Sequence, residues 1–137
     1  SRVFPTTRRG IAALFQALRE NEWVGILPDQ EPEKDAGCFV PFFGQDTLTM
    51  TLISKLVQKT RPRVVVAYAK RLSNGVGYEL IVHEVDDQIY SDDLEESVAA
   101  LSAGVEGCVR ESVAQYQWEY KRFRRGREGN TRYYDNL

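Results

Sequence analysis

Apolar residues recur every three or four positions in three stretches of the chain, and this period predicts α-helices. We predict helices over residues 10–20, from Asp46 or Thr47 to residue 59, and over residues 93–115. Their apolar faces are carried by Ile11, Leu14, Phe15 and Leu18, by Leu48, Leu52 and Leu56, and by Leu94, Val98, Leu101 and Val105. Thr6 or Thr7 can cap the first helix, because threonine hydroxyls accept hydrogen bonds from free helical N–H groups.

Other apolar stretches are shorter and predict β-strands. Residues 23–27 form an apolar run closed by Pro28, which suits a buried strand. Residues 64–69 are apolar at every position but one, as expected of a central strand that is covered on both faces. The Asn-Gly pair at residues 74–75 predicts a hairpin turn, after which residues 78–85 return as the partner strand.

Two segments between these elements lack a period. Residues 29–37 are polar and predict a loop. Residues 39–44 are an apolar loop or a short edge segment, because Pro41 has no N–H for a central ladder. Such an apolar segment needs a partner, which is a protein core, an acyl chain or a bilayer. The order of elements predicts an α/β fold with a mixed sheet and flanking helices.

Composition limits the class of protein. A length of 137 residues suits a single domain, so residues 1–137 are expected to form one. A net charge of -2 argues against a general nucleic-acid binder, and we expect no nucleic-acid partner. The sequence opens with Ser1 instead of Met and has no apolar run long enough to span a bilayer. We therefore expect these residues to be part of a longer polypeptide.

Charge is unevenly distributed along the chain. Acidic residues between positions 84 and 96 are explained by a turn and a helix N-terminus, where acids interact favourably with the helix dipole. Basic residues cluster between positions 121 and 132, in an aromatic tail that begins at Tyr116. Two interpretations of this tail stay open. It contacts an anionic ligand or an anionic membrane surface, or it is a solvated C-terminus.

Few residues carry nucleophilic or metal-binding chemistry. Cys38 and Cys108 lack the spacing of a metal or redox motif, and we expect two free thiols. His83 is the only histidine, which excludes a multi-histidine metal site, and we expect no metal and no cofactor. His83 could serve as a general base, but a lone histidine in a predicted strand is more often an ordinary surface or edge residue.

Asp29 and Gln30 follow the predicted strand at residues 23–27. Open α/β sheets bind ligands beyond the carboxyl ends of their strands, and a carboxylate with an amide there could orient a hydroxyl group. A simple turn explains the pair equally well. Arg8 and Arg9 oppose the dipole of the first helix, which hints weakly at an anionic partner.

Several sequence blocks, in one order over essentially the whole chain, resemble the bacterial lipid A biosynthesis acyltransferases, the lauroyl and myristoyl transferase family. The blocks are Arg9-Gly10-Ile11, Asp29-Gln30 followed by Gly37, the sequence Val-Pro-Phe-Phe-Gly at residues 40–44 before a Thr-rich stretch, and Gln115-Tyr-Gln-Trp118 running into Lys121-Arg-Phe-Arg-Arg125.

The resemblance implies a fold similar to that of the glycerolphosphate acyltransferases. It implies transfer of a fatty acyl group from acyl carrier protein to a hydroxyl of a lipid A precursor, at the cytoplasmic face of the bacterial inner membrane. In this family a His-x4-Asp/Glu motif supplies the general base and the acid that orients it. His83 is followed at that spacing by Gln88, so the motif is expected before Ser1. Residues 1–137 would then be the C-terminal portion of a larger acyltransferase domain, inactive alone. The alternative is a non-catalytic lipid- or membrane-binding module.

The resemblance also implies roles for individual residues, none of them catalytic. Arg9 would face a phosphate or carboxylate, and Asp29 and Gln30 would line the acceptor side of the crevice. Gly37 and the segment Pro41-Phe42-Phe43-Gly44 would shape the acyl pocket. Trp118, Arg122 and Arg124 would lie at the anionic membrane surface.

Overall fold

The computed structural model describes Val3, residues 7–130 and residues 133–135. Its helices are α1 (Arg8–Arg19), α2 (Leu52–Thr60) and α3 (Leu94–Glu111). Its strands are β1 (Gly37–Phe42), β2 (Gln45–Met50), β3 (Val65–Arg71), β4 (Tyr78–Glu84), β5 (Arg125–Gly126) and β6 (Gly129–Asn130). The α/β class with flanking helices is confirmed. Within the described ranges the strands form three antiparallel pairs, β1–β2, β3–β4 and β5–β6, and not one mixed sheet.

Helix α1 confirms the first predicted helix and begins slightly earlier, at Arg8. The hydroxyl of Thr7 caps it by accepting a hydrogen bond from the Gly10 N–H at 3.3 Å. The buried residues of α1 are Gly10 and Ala17, whereas the predicted apolar face of Ile11, Leu14, Phe15 and Leu18 is only half-buried. Thr6, the other predicted cap, lies outside the described residues.

The prediction of a helix from residue 46 or 47 is wrong in its first half. Phe43 and Gly44 adopt positive φ angles of 49° and 74°, which form a tight turn. This turn folds β2 back onto β1, and the buried Thr47 and Thr49 belong to the strand. Threonine is β-branched and suits a pleated surface. Helix α2 therefore begins only at Leu52.

The predicted hairpin at residues 74–75 is confirmed, because β3 pairs with β4 from Val65↔Glu84 to Arg71↔Tyr78. The prediction of a central strand, covered on both faces, is not met within the described part of the chain. Here β4 is the only strand that pairs with β3, and the outer face of the pair is open. On that face Leu80 is 71% exposed and Val82 is 50% exposed.

The prediction of a buried strand at residues 23–27 is wrong, because the structure leaves this segment unpaired. No backbone hydrogen bond joins it to any other described residue, although intermediate and exposed positions alternate along it. Trp23 is 95% exposed and Leu27 is 70% exposed. A β-strand needs backbone hydrogen bonds to an adjacent strand, and none of the described elements pairs with this segment.

Helix α3 organises the core by packing against β1, β3 and α2. The largest buried cluster consists of Val57, Val66, Val85, Ile89, Ala100, Leu101 and Cys108. The helix ends at Glu111, earlier than predicted, and short 3-10 turns follow. No helix in the described ranges is both long and apolar enough to cross a bilayer.

The two cysteines are free thiols, as expected. Burial is the main cause that raises the pKa of both, Cys38 in β1 and Cys108 in α3. Both thiols are therefore less easily ionised than an exposed cysteine, which favours a structural role.

Candidate functional site

A groove of about 1650 Å³ runs between the extended residues 22–29 and strand β3, and α3 contributes side chains to its lining. Asp29 lies in its wall, although the strand at residues 23–27, which was the reason to expect a crevice there, does not form. Tyr116 and His83 also line it. The lining of the groove is more apolar than polar, which is the usual character of a ligand or partner site.

Asp29 belongs to a set of four polar residues that we name the buried polar cluster: Asp29, Glu31, Tyr116 and Arg122. The other three all interact electrostatically with the Arg122 guanidinium, whose pKa is lowered mainly by burial. Burial also raises the pKa of Tyr116. Asp29 Oδ1, Glu31 Oε2 and the Tyr116 hydroxyl are buried without a hydrogen-bond partner among the described residues. Unpaired buried polar atoms are rare, so this cluster is the strongest candidate for polar ligand chemistry.

Arg122 is not a surface residue, which corrects the expectation that it contacts a membrane. Its side chain donates hydrogen bonds to the Leu48 carbonyl and, at 2.9 Å, to Thr49 Oγ1, and the residue is only 4% exposed. Its guanidinium lies 5.6 Å from the centre of the Phe42 ring. Arg122 therefore fastens the C-terminal tail to the β1–β2 hairpin.

Asp29 and Gln30 face different spaces, although they are neighbours in the sequence. Gln30 is exposed and lines a second hollow of about 490 Å³ between the Glu31 loop and the tail. In that hollow Arg125 Nε lies 3.0 Å from Glu31 Oε1. The structure therefore does not bring the Asp29 carboxylate and the Gln30 amide to one crevice.

Arg9 is exposed in the first turn of α1 and lines neither of these two hollows. Its predicted role toward an anion is not supported by a neighbouring site residue in the described structure. That role stays a prediction.

Gly37 is required by close packing. A Cβ atom built on it would lie 2.8 Å from Pro32 Cγ and 3.0 Å from Leu48 Cδ1. This contact holds the loop that carries Asp29 and Glu31 against the β1–β2 hairpin. Gly37 does not line the groove, and its role in shaping an acyl pocket stays a prediction.

The segment Pro41-Phe42-Phe43-Gly44 forms the end of the β1–β2 hairpin and is fixed to α3. Ser102 donates to the Pro41 carbonyl at 2.7 Å, and the Phe43 N–H donates to Glu106 Oε2 at 2.6 Å. Phe42 is buried, and its ring packs near Tyr116 and Phe123. The residues of this segment do not line the groove. Their role in an acyl pocket stays a prediction.

Trp118 and Arg124 lie at the surface, unlike Arg122. Trp118 is 41% exposed, and its indole N–H donates to the Val113 carbonyl at 2.9 Å. Its ring packs edge-on against Tyr116 at 4.8 Å. Arg124 is exposed beside the second hollow. Both are placed where contact with another surface is sterically open.

His83 is part of a polar network and not of the buried polar cluster. Its Nε2 lies 2.9 Å from Glu111 Oε1, and the Tyr68 hydroxyl donates to Glu111 Oε2 at 2.9 Å. The hydrogen bond from His83 is the largest cause that lowers the pKa of Glu111. The network joins β3 and β4 to the end of α3, which supports the interpretation of His83 as an ordinary strand residue.

Sequence reasoning missed Glu31, Tyr116 and the inward orientation of Arg122. Apart from Asp29, the mixture of aromatic and basic residues in the tail was the local signal that pointed to this region. Nothing local distinguishes Arg122 from Arg124 or Arg125, because its partners Leu48 and Thr49 lie on a distant strand.

Comparison with known proteins gives a consistent answer. Residues 2–125 match the family model of the bacterial lipid A biosynthesis acyltransferases. The chain is 27% identical over 123 residues to the lipid A biosynthesis lauroyltransferase of Escherichia coli K12, a match that covers 89% of this chain and 40% of that protein. It is 28% identical over 129 residues to the lipid A biosynthesis myristoyltransferase of the same organism, covering 91% and 39%.

A lipid A biosynthesis acyltransferase of Haemophilus influenzae is 25% identical over 126 residues, with 92% of this chain and 39% of that protein covered. The chain thus spans about 40% of the length of the first of these relatives. The family match extends over nearly all of the sequence and includes the loop with Asp29 and the tail as far as Arg125. The chain belongs to the bacterial lipid A biosynthesis acyltransferase family.

Proposed function

We propose that residues 1–137 belong to a longer enzyme that transfers a fatty acyl group from acyl carrier protein to a hydroxyl of a lipid A precursor. The observation that carries this proposal is the family match over residues 2–125. In the proposed enzyme these residues form the C-terminal portion of the acyltransferase domain and supply binding surface. The catalytic histidine and acid come from outside them, because His83 is engaged with Glu111 and has Gln88 at the motif spacing.

Within this proposal Asp29 contacts the acceptor. Its Oδ1 is buried without a hydrogen-bond partner in the described structure, at the wall of the large groove. A carboxylate oxygen accepts a hydrogen bond from a hydroxyl group and can orient it for attack on an acyl carbonyl. The positive charge of the Arg122 guanidinium offsets the negative charge of the nearby carboxylates, because an arginine side chain stays protonated at all ordinary pH values.

The proposal is tested with a radiolabelled acyl chain on acyl carrier protein and a lipid A precursor as acceptor. We expect transfer by the longer parent polypeptide and none by the 137-residue chain. Asp29→Asn in the parent should lower kcat/KM about 10²-fold or more, as loss of a positioning group does. Asp35→Asn is the matched control, because Asp35 is exposed in the same loop. Transfer by the 137-residue chain alone would contradict the proposal.

A second observation favours contact with an anionic membrane. Trp118 and Tyr120 are each 41% exposed, and Lys121 and Arg124 are exposed beside them. Aromatic rings and cations together suit the headgroup region of a bilayer. We propose that this surface faces the cytoplasmic leaflet of the inner membrane in the parent enzyme. The same contact would serve a non-catalytic lipid-binding module, which is the alternative function.

Sedimentation with vesicles of neutral lipid, with and without anionic lipid, tests this contact. The combined variant Lys121→Glu and Arg124→Glu should lose binding to anionic vesicles, and wild-type binding should weaken as salt is raised. Arg8→Glu with Arg19→Glu changes the charge equally on α1 and serves as control. Equal loss in both variants would show a general charge effect and exclude the tail as the contact. Acyl transfer by the parent separates the enzyme from the binding module.

A further inference from the structure

The free edge of β3 offers hydrogen-bonding groups that no described strand uses. In a strand the N–H and C=O of one residue point to the same side, and successive residues alternate. The Arg71 N–H donates to Gln115 Oε1 at 2.8 Å, and Gln115 Nε2 donates to the Arg71 carbonyl at 3.3 Å. The backbone of Arg71 therefore points away from β4.

By the same alternation Val65, Ala67 and Ala69 also direct their N–H and C=O groups away from β4. No hydrogen bond from these groups to another described residue occurs at this edge. Unsatisfied backbone groups are costly when buried and are templates for a further strand when exposed. The Gln115 amide makes at Arg71 the two bonds that a neighbouring strand would make, so it closes one end of this edge.

The opposite wall of the groove has the same character. Residues 23–27 alternate between intermediate and exposed positions, and their backbone has no hydrogen-bond partner in the described part of the chain. The large apolar side chains of Trp23 and Leu27 are exposed, and both residues line the groove. Two unpaired extended segments thus face one apolar space of about 1650 Å³.

The side chains around this space are apolar, like those that normally pack inside a covered sheet. Leu80 and Val82 are exposed on the open face of the β3–β4 pair, and Leu101 and Val105 of α3 line the groove below. Monomeric proteins rarely leave so large an apolar surface uncovered. A strand with alternating apolar residues would pair with β3 through its backbone and cover these side chains with its own.

We propose that the groove is a docking slot for at least one extended strand, which pairs with the free edge of β3, and that this strand comes from the part of the parent polypeptide outside residues 1–137. The chain spans about 40% of the length of the E. coli lauroyltransferase, so the relatives contain ample additional chain to supply it. The proposal rests on family membership and on the unpaired edges. It uses only the part of the groove along β3 and leaves the part beside Asp29 to the acceptor proposed above, so the two proposals can fail separately.

Amide hydrogen exchange in the purified parent polypeptide tests the slot. The amides of Val65, Ala67 and Ala69 should exchange at least about tenfold more slowly than in an unstructured peptide, the factor that corresponds to about 1.4 kcal/mol of opening free energy. The same amides should be unprotected in the 137-residue chain. Unprotected amides in the parent, or a natural polypeptide without further segments, would overturn the proposal.

A proline variant tests the pairing directly. Ala67→Pro removes one outward N–H, and proline is tolerated at an unpaired strand edge. It should lower the Tm of the parent and leave the Tm of the 137-residue chain unchanged, whereas Ala67→Ser, which keeps the N–H, should leave the parent near wild type. Equal effects of Ala67→Pro in both contexts would show that the edge is not used.

A second copy of the chain is the competing occupant. Pairing between copies would make the amide protection depend on protein concentration and would raise the mass measured by light scattering. Protection in the parent that is independent of concentration supports the intramolecular strand. Protection that disappears on dilution would overturn it.

Discussion

Contacts of single residues hold the C-terminal tail on the β1–β2 hairpin, and Arg122 is the clearest case. A charged side chain is rarely buried unless its hydrogen-bond donors are satisfied. Arg122 meets this condition through the Leu48 carbonyl and the Thr49 hydroxyl, both on β2. The residue therefore contributes to folding and not to the surface charge of the tail.

Replacing Arg122 should destabilise the chain. Arg122→Ala leaves the buried Leu48 carbonyl without this donor, and hydrogen bonds to charged groups are worth about 1.5–3 kcal/mol. We expect a loss of this size in the free energy of unfolding, measured with urea. Arg19→Ala is the control, because Arg19 is exposed at the end of α1 and should cost no more than about 1 kcal/mol. Equal losses in the two variants would show that Arg122 is not held as described.

Glu111 gives the chain a pH-dependent contact. Its pKa is lowered, first by the hydrogen bond from His83 and then by that from Tyr68. A carboxyl group whose folded pKa lies below its unfolded value stabilises the fold at pH values above the unfolded value. This contribution is lost as the pH falls through the folded pKa.

The difference in unfolding free energy between wild type and Glu111→Gln should therefore shrink on acidification. We expect the wild type to be the more stable at neutral pH and the gap to close below the ordinary glutamate pKa of about 4.3. Urea unfolding at a series of pH values measures it, and Glu119→Gln provides an exposed control. A gap that stays constant with pH would count against the His83–Glu111 contact.

At the scale of elements, two glycines differ in whether the surrounding structure leaves space for a side chain. Gly37 lies where a side chain would press on Pro32 and Leu48. Gly107 lies in α3, where a Cβ atom would have open space within 4 Å, and its backbone is helical. The same substitution should therefore have opposite signs at the two positions.

We expect Gly37→Ala to cost about 1–3 kcal/mol, because overpacking displaces well-packed neighbours. Gly107→Ala should stabilise by up to about 1 kcal/mol, because alanine loses less backbone entropy in a helix. Thermal unfolding of both variants measures the signs. Two changes of the same sign would contradict the packing described around Gly37.

The elements also show what the sequence can predict. Helices α1 and α3 and the β3–β4 hairpin follow from local period and from the Asn-Gly turn. Strand β2 could not be predicted, because Leu48, Leu52 and Leu56 keep a helical spacing across the strand–helix boundary. The turn that precedes β2 uses Phe43 at a positive φ, a conformation that its residue type does not suggest.

The arrangement of the candidate site depends mostly on contacts that the sequence pattern does not show. Asp29 lines the groove, but the strand that was expected to place it there does not form, so its position does not follow from the sequence. The tail supplies Tyr116 and Arg122 to the buried polar cluster, and their placement depends on contacts between distant parts of the chain. Arg122 bonds to residues on β2, and no pattern within the tail encodes that choice.

On the scale of the whole molecule, the tail is part of the fold. Tyr116 and Phe123 pack near Phe42, and β5 contacts β2. The tail therefore covers the hairpin that also carries the Gly37 contact. A solvated C-terminus, one of the two interpretations of the tail sequence, does not describe these residues.

Truncation after Ser112 should therefore expose the aromatic side of the β1–β2 hairpin. We expect a lower Tm and increased binding of the dye ANS, since buried apolar surface becomes accessible. Removal of residues 133–137 alone is the control and should have a smaller effect. If the long truncation left the Tm and dye binding unchanged, the tail would be dispensable for folding.

The two tryptophans differ in how far they are exposed to solvent, and their fluorescence can therefore report on two separate parts of the molecule. Trp23 projects from the unpaired segment at 95% exposure, whereas Trp118 packs on Tyr116. In single-tryptophan variants, Trp23 emission should be red-shifted and readily quenched by acrylamide, and Trp118 emission less so. A blue shift of Trp23 emission in the parent would report that a strand has docked in the groove, without any added label. Trp118 emission would independently report changes in the environment of the tail.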